Sequence, residues 1–173
     1  MNYIKDLALK NADGSYNVII EIPKGTNSKF ELTDKVFDTL KEVRKVVGKY
    51  PFYYGCFPNT HSGDNDPLDM ILLSNKKRKC LDVVPVEVIG AIKTIDNGEI
   101  DDKILVIAKD EVVTHLDKLE KKALKFLSKY KGKKSNTIID FTIYDCEEGV
   151  RLIEEANALY NKIKKGAKSL SSF

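Results

Sequence analysis

The residues with the most chemistry in the least space are Asp64-Asn65-Asp66-Pro67-Leu68-Asp69, three carboxylates within six positions beside a proline. Like charges crowded into a partly buried cleft raise one another's pKa and cost several kcal/mol, so the group calls for something positive among them. The donors in this stretch are all oxygens, which favours a hard divalent cation such as Mg²⁺ or Mn²⁺ over zinc. Proline pushes the residue before it out of the helical region, so Asp66 is expected to be extended, and Met70-Ile71-Leu72-Leu73 reads as a following strand. Asp, Asn and Pro also compose ordinary solvated turns, and the stretch alone does not separate the two readings. An EF-hand is excluded: its fifth and sixth loop positions need an oxygen ligand and Gly, where this chain has Leu68 and Asp69.

A second acidic group, Asp96, Glu99, Asp101 and Asp102, surrounds a turn between two apolar runs and is followed by Lys103. By itself such a group is a wet hairpin tip; paired with the first it predicts a site for several metal ions. Cations and hydroxyls around metal-filled carboxylates would bind the remaining oxygens of a phosphate group. Lys29, Arg44, Tyr54, Lys103, Tyr130 and Lys131 are the candidates. Glu21, a lone acid among Val18, Ile19, Ile20 and Ile22, is either a solvent-facing strand residue or an acid at the rim of a core face. No P-loop, G-x-G-x-x-G or G-x-S-x-G motif is present, so nucleotide-fold and serine-hydrolase chemistry lack support.

The elements that must position these residues follow from periodicity. Tyr16 to Ile22, Lys29 to Leu32, Met70 to Leu73, Val83 to Ile95 and Ile104 to Ala108 read as strands, with Pro85 marking an edge or bulge. Asp96-Asn97-Gly98 is a hairpin turn signal. From Thr33 to Gly48 the spacing of Val36, Leu40, Val43 and Val47 fits a helix, while the β-branched content also allows a strand. Leu116 to Tyr130 is an amphipathic helix ending near Gly132, with Lys118, Lys121, Lys122 and Lys125 outward. Ile138 to Tyr144 is a further strand, and Asp145 with Glu148 forms a capping box. That box opens a helix with core positions Val150, Ile153, Ala156, Leu159, Tyr160 and Ile163, stopped by Gly166. This order predicts an α+β, mainly β fold: a closed or nearly closed barrel with helices packed on it.

At 173 residues, 42% hydrophobic and 32% charged, the chain fits one domain with a real core. Its 29 basic and 26 acidic side chains are too evenly balanced for a dedicated nucleic-acid binder. Cys56, Cys80 and Cys146 form no C-x-x-C pair, so reduced thiols are expected rather than a disulfide framework or zinc site. Met1 to Lys10 has no apolar signal core, and no run approaches the ~18 apolar residues of a membrane span, so the expected location is the cytoplasm, with no membrane partner. His61 and His115 are read as surface residues.

The ordered motifs resemble soluble family I inorganic pyrophosphatase. The Asp-x-Asp-Pro-apolar-Asp loop is met by Asp64 to Asp69. Around it fall, in the family's order, Ile20-Glu21-Ile22-Pro23, Lys29-Phe30-Glu31, Tyr50-Pro51, Tyr54-Gly55, Gly90 with Lys93 and Asp96, Asp101-Asp102-Lys103 and Tyr130-Lys131. The likeness covers about Asn17 to Lys131. It implies a five-stranded OB-like barrel flanked by two C-terminal helices, assembly into a homo-oligomer, and Mg²⁺-dependent hydrolysis of pyrophosphate, with Mn²⁺ as an alternative ion. By resemblance, Asp64, Asp69 and Asp101 hold one metal, Asp69 shares a second, Asp96 and Asp101 hold one arriving with substrate, and Glu21 serves a further one through water. Asp66 accepts the proton of a water bridging two metals. Lys29, Arg44, Tyr54, Lys103, Tyr130 and Lys131 grip the phosphates, with Lys45 the alternative to Arg44. The resemblance also turns Thr33 to Val47 into a β-hairpin, against the local helical pattern. Departures are Asn97 where a second acid often follows Asp96, Cys56-Phe57-Pro58 after the Tyr-Gly pair, and no Lys-Trp after Tyr130-Lys131. The alternatives are a non-enzymatic OB-like phosphate or nucleic-acid binding module and a catalytically lapsed family member.

Overall fold

The computed structural model describes residues 2–33, 39–132 and 136–170. After a short helix α1 (Tyr3–Asp6), which the sequence did not announce, come β1 (Tyr16–Ile22), β2 (Ser28–Thr33), β3 (Thr39–Lys45), β4 (Tyr53–Cys56) and β5 (Asp69–Leu72). They are followed by β6 (Val83–Asp96), β7 (Glu99–Ile100), β8 (Lys103–Ala108), α2 (Leu116–Leu127), β9 (Thr137–Tyr144) and α3 (Cys146–Leu170). Neighbouring strands run β1-β4-β5-β8-β6, and β6 returns to pair with β1, so five strands close a ring. β7 and β9 extend from β6, and β2 with β3 forms a separate hairpin.

Alternation sorts the strand residues onto two faces. Val18, Ile20, Met70, Leu72, Ile104 and Val106 join one apolar cluster, which Ile153 and Ala156 of α3 complete. Ile22, Tyr54, Ile71, Leu73 and Leu105 join the other, covered by Ala123 and Leu127 of α2. Every residue of β1 is buried, as expected of a strand covered on both faces. A register shift between Ile20 and Ile22 places those two isoleucines in different clusters and marks Glu21 as a bulge residue. β4 crosses beside this bulge so closely that a Cβ on Gly55 would lie 1.9 Å from the Ile19 carbonyl oxygen.

A hairpin forms, but it pairs Ser28–Thr33 with Thr39–Lys45, so the Thr33 to Val47 stretch supplies one of its strands rather than both, and the helical reading fails over Thr39–Lys45. Val36 lies outside the described residues. Pro85 is neither at a free edge nor at a bulge. It pairs with Asn17, and the register shifts along β6 fall between Val88 and Gly90 and between Ile92 and Thr94. α2 ends at Leu127, earlier than its pattern, leaving Tyr130 in the turn beyond. α3 runs past Gly166 to Leu170. Half of the expected capping box forms: the Glu148 N–H donates to Asp145 Oδ1 at 3.0 Å, while the Glu148 carboxylate instead meets Lys93 at 2.6 Å and Arg151 at 2.7 Å. A Cβ on Gly149 would stand 2.9 Å from the Gly90 carbonyl oxygen, so α3 seats directly on the backbone of β6. Leu159 and Ile163, expected in the core, are 40% and 48% exposed. Among the described residues no helix is long and apolar enough to cross a membrane.

Candidate active site

Two parallel strands set the floor of the site. β5 and β8 begin with Asp69 opposite Lys103, so an acid and a cation from residues far apart in sequence start side by side. Lys103 is 1% exposed, and its ammonium donates to Asp69 Oδ2 at 2.6 Å and, by a shorter contact, to Asp101 Oδ1. Burial alone would lower its pKa; Asp69 and Asp101 reverse that and hold it above the ordinary lysine value. The Tyr54 hydroxyl on β4 also donates to Asp69 Oδ2. Burial pushes the Asp69 carboxyl up, but Lys103, the Tyr54 hydroxyl and Lys29 together bring it below its usual value, while burial leaves Asp101 raised.

Asp96 ends β6, where Asn97 and Gly98 turn with φ of 51° and 87°. One of its oxygens takes the Lys131 ammonium and the other takes the Thr137 hydroxyl at 2.7 Å. Burial raises this carboxyl, and those two donors more than offset it. Lys131 also lies 3.9 Å from Asp101. Thr94 donates its hydroxyl to the Asp101 carbonyl and its N–H to Asp102 Oδ1 at 3.0 Å, which ties the second acidic loop to β6.

The first acidic loop closes on itself. Asp64 Oδ1 accepts from the Asp66 N–H at 3.1 Å, the Ser62 N–H donates to the Asp66 carbonyl at 2.8 Å, and Asn65 takes φ of 68°. Burial, then Asp64 and Glu31, raise the Asp66 carboxyl. Glu21 is 7% exposed, and its Oε1 accepts the Leu32 N–H at 2.7 Å. Burial pushes its carboxyl up to about 8. It therefore stands inside the molecule rather than at a wet edge. The hairpin brings Lys29, paired with Glu31 at 2.6 Å, and Arg44, whose guanidinium lies 5.5 Å from the Tyr130 ring centre. Lys45 turns instead to Ser28 and to Glu42 at 2.8 Å, so Arg44 is the member of the pair nearer the site.

These side chains surround one cavity of about 280 Å³. All the residues singled out from sequence line it except Lys103, buried behind the acids, Arg44, against the Tyr130 ring, and Asp102, which faces a groove on the other side of its loop. Among the described residues, eight carboxylates line the cavity against the two ammoniums of Lys29 and Lys131. Among the described residues no three acids stand close enough to grip one ion as the side chains lie, and Asp69, Asp101 and Asp96 are instead engaged by Lys103 and Lys131. The donor set nevertheless fits hard divalent ions: the lining acids offer only oxygens, and they outnumber the lining ammoniums eight to two.

A family model described as inorganic pyrophosphatase matches residues 18–161. The chain belongs to the inorganic pyrophosphatase family. A probable inorganic pyrophosphatase of Plasmodium falciparum (isolate 3D7) is 31% identical over 203 residues, covering 94% of this chain and 53% of that protein. An inorganic pyrophosphatase of Neisseria meningitidis serogroup B is 31% identical over 160 residues, covering 86% of this chain and 90% of that protein. A crystal structure of type I inorganic pyrophosphatase from P. falciparum matches with a TM-score of 0.88 at 28% identity, covering 99% of this chain and 67% of that chain. The chain thus spans about half the length of the curated malarial relative.

Within this pyrophosphatase-family site, the sequence named Glu31 and Glu99 without giving them a role and did not point to Thr137. Glu31 lies two residues after Lys29 on β2, so strand alternation was the signal that would have placed it beside that lysine. Thr137 reaches Asp96 only because β9 pairs with β6. Cys56, left without a role, lines the cavity wall, and burial raises its thiol well above the usual value.

Proposed function

We propose that this chain hydrolyses inorganic pyrophosphate to two phosphates in a Mg²⁺-dependent reaction, with Mn²⁺ a possible substitute. The observation that carries the reading is the charge imbalance of the cavity: eight carboxylates facing two ammoniums would repel a phosphate anion unless cations entered with it. Asp64, Asp69, Asp96 and Asp101 would hold the ions, with Glu21 acting through water. Bound there, such ions would neutralise the diphosphate and lower the pKa of a shared water toward neutrality.

The remaining work falls to the chain. Asp66, raised by burial and its acidic neighbours, takes the proton of the attacking water. That water forms a P–O bond in line with the bridging oxygen, whose bond to the same phosphorus breaks and frees the second phosphate. Lys29 and Lys131 reach into the cavity to stabilise charge on the phosphates, and the Tyr54 and Tyr130 hydroxyls add donors without charge. Arg44 adds a positive field behind Tyr130. Lys103 acts from beneath, holding Asp69 and Asp101 in place. Assembly into a homo-oligomer and a cytoplasmic location belong to the same proposal; free Cys56, Cys80 and Cys146 accord with a reducing compartment.

The test is phosphate release from pyrophosphate by purified protein with Mg²⁺, with Mn²⁺ and with EDTA, beside the Asp66→Asn variant. Metal-dependent release that falls at least a hundredfold in the variant is expected. No release from folded, metal-supplied protein would leave a lapsed enzyme or a binding module instead.

A further inference from the structure

One charged face of the molecule has no part in the chemistry of the cavity. Leu116, Leu119, Ala123, Phe126 and Leu127 turn one side of α2 against the barrel. The other side carries Lys118, Lys121, Lys122 and Lys125, spaced three and four apart, which stacks them in one row. Beyond Leu127 the Lys129 and Tyr130 N–H groups both donate to the Phe126 carbonyl, at 3.0 and 2.9 Å, so the turn keeps the helical phase and Lys129 joins the row. All five lysines are exposed. Lys49, also exposed, broadens the row at this end, where a Cβ on its neighbour Gly48 would lie 3.9 Å from the Phe126 ring.

A row of like charges is ordinarily a solvated face, and two observations set this one apart. Elsewhere on the surface Lys45 lies 2.8 Å from Glu42, Lys93 2.6 Å from Glu148 and Lys109 2.6 Å from Asp13. Among the described residues none of the five ammoniums of the row pairs with a carboxylate, although Asp117 and Glu120 share the helix. Lys118 and Lys122, Lys121 and Lys125, and Lys125 and Lys129 stand four apart and repel one another, so α2 carries the row at a cost to its own stability. The row also ends at the cavity: Tyr130 and Lys131, which follow Lys129, both line it. At a rise of about 1.5 Å per residue, Lys118 at the far end stands about 18 Å along the axis from Tyr130.

The cavity supplies the row with a purpose. Eight carboxylates against two ammoniums repel an approaching diphosphate until ions enter. Cations beside the mouth offset that field at long range, and being solvated they attract the anion without holding it. The Debye length is about 30 Å at 0.01 M salt and about 8 Å at 0.15 M, so the whole row acts in dilute buffer and only its near end, Lys125 and Lys129, in physiological salt. We infer that the lysine row of α2 draws the pyrophosphate anion toward the cavity and raises its rate of capture. The inference deepens the proposed function and rests on it: pyrophosphate enters along α2, from the side of Tyr130 and Lys131.

The experiment is stopped-flow association of pyrophosphate with the full chain in Mg²⁺, at ionic strengths from about 0.01 to 0.15 M. The signal is tyrosine fluorescence, since Tyr54 and Tyr130 line the cavity and the chain has no tryptophan. Wild type is compared with the Lys118→Gln/Lys121→Gln/Lys122→Gln/Lys125→Gln variant. A Lys77→Gln/Lys79→Gln/Lys162→Gln/Lys165→Gln control removes the same charge from exposed positions off the row. Glutamine suits an exposed helix, and circular dichroism checks that both variants fold. At the lowest ionic strength the row variant should associate at least about threefold more slowly than wild type, the difference shrinking as salt rises. Phosphate release at saturating pyrophosphate should be unchanged, and the control should stay close to wild type. Equal association rates in wild type and row variant, or an equal loss in the control, would overturn the role of the row. Association that keeps the expected pattern without phosphate release overturns the hydrolytic reading and leaves the row standing. No association of pyrophosphate at all removes both.

Discussion

Glu21→Gln should make the metal-free protein more stable, by an amount that depends on pH. In the folded chain burial holds the Glu21 carboxyl at about 8, against 4.5 when unfolded. Between those values the folded state keeps a proton that the unfolded state releases, so unfolding is favoured as pH rises. Each pH unit is worth about 1.4 kcal/mol, so the two and a half units from 4.5 to 7 destabilise the wild type by about 3 kcal/mol. Glutamine keeps an oxygen for the Leu32 N–H and has no charge to desolvate. The variant and wild type should therefore match near pH 4, diverge to about 3 kcal/mol at pH 7 and level off above 8. In a domain of this size that is a rise in melting temperature of about 6–12 °C. Urea unfolding in EDTA from pH 4 to 9 measures it. Other titrating acids, Asp101 among them, are common to both proteins and cancel in the difference. A constant gap across pH, or a variant less stable throughout, would refute the assignment of a buried, proton-holding Glu21. Pyrophosphate hydrolysis should move the other way, since the variant loses a charge that the proposed metal site uses.

Lys103→Met should destabilise the metal-free protein by about 3–5 kcal/mol, because it strips the buried cation from Asp69 and Asp101; millimolar Mg²⁺ should recover part of that loss in a thermal melt. Thr137→Val should weaken Mg²⁺ binding to the substrate-free protein, read by calorimetry, and Thr137→Ser should restore it; equal behaviour of the two variants would show that the hydroxyl on Asp96 is idle. Gly55→Ala should abolish soluble expression or cost more than about 4 kcal/mol, since its Cβ would strike the Ile19 carbonyl oxygen. Gly98→Ala, with φ of 87° but no atom within 4 Å, should cost only about 1 kcal/mol in urea unfolding.

What could be read from the sequence was what local chemistry determines. The acidic loops, the strand following Asp69 and the Asn97-Gly98 turn are set by residues adjacent in the chain. The Thr33 to Gly48 stretch misled because its apolar spacing did not report burial: Val43, on a hairpin that lies outside the ring, and Val47, just past it, are 41% and 59% exposed. The same assumption, that regular apolar spacing means core, put Leu159 and Ile163 inside when α3 overhangs the sheet. Glu21 was ambiguous because alternation sorts residues onto faces without saying which faces are covered, and β1 is buried on both. Thr137 and Asp96 are 41 residues apart, and no local pattern links them.

The pairing of Asp69 with Lys103 bears on how the molecule comes into being. The two residues meet only when β5 and β8 align in parallel, and that ring is complete only when β6 reaches back to β1. Contacts of such long sequence separation form late and slowly. Until they do, the acids of the cleft are scattered along a solvated chain and repel nothing. The cleft thus exists only in the finished fold, and any ion or anion that recognises it binds that state alone. At a hundred times its dissociation constant such a ligand adds about 2.7 kcal/mol to the native state. In refolding, its effect should fall on the rate at which the closed ring opens, leaving the rate of closure unchanged.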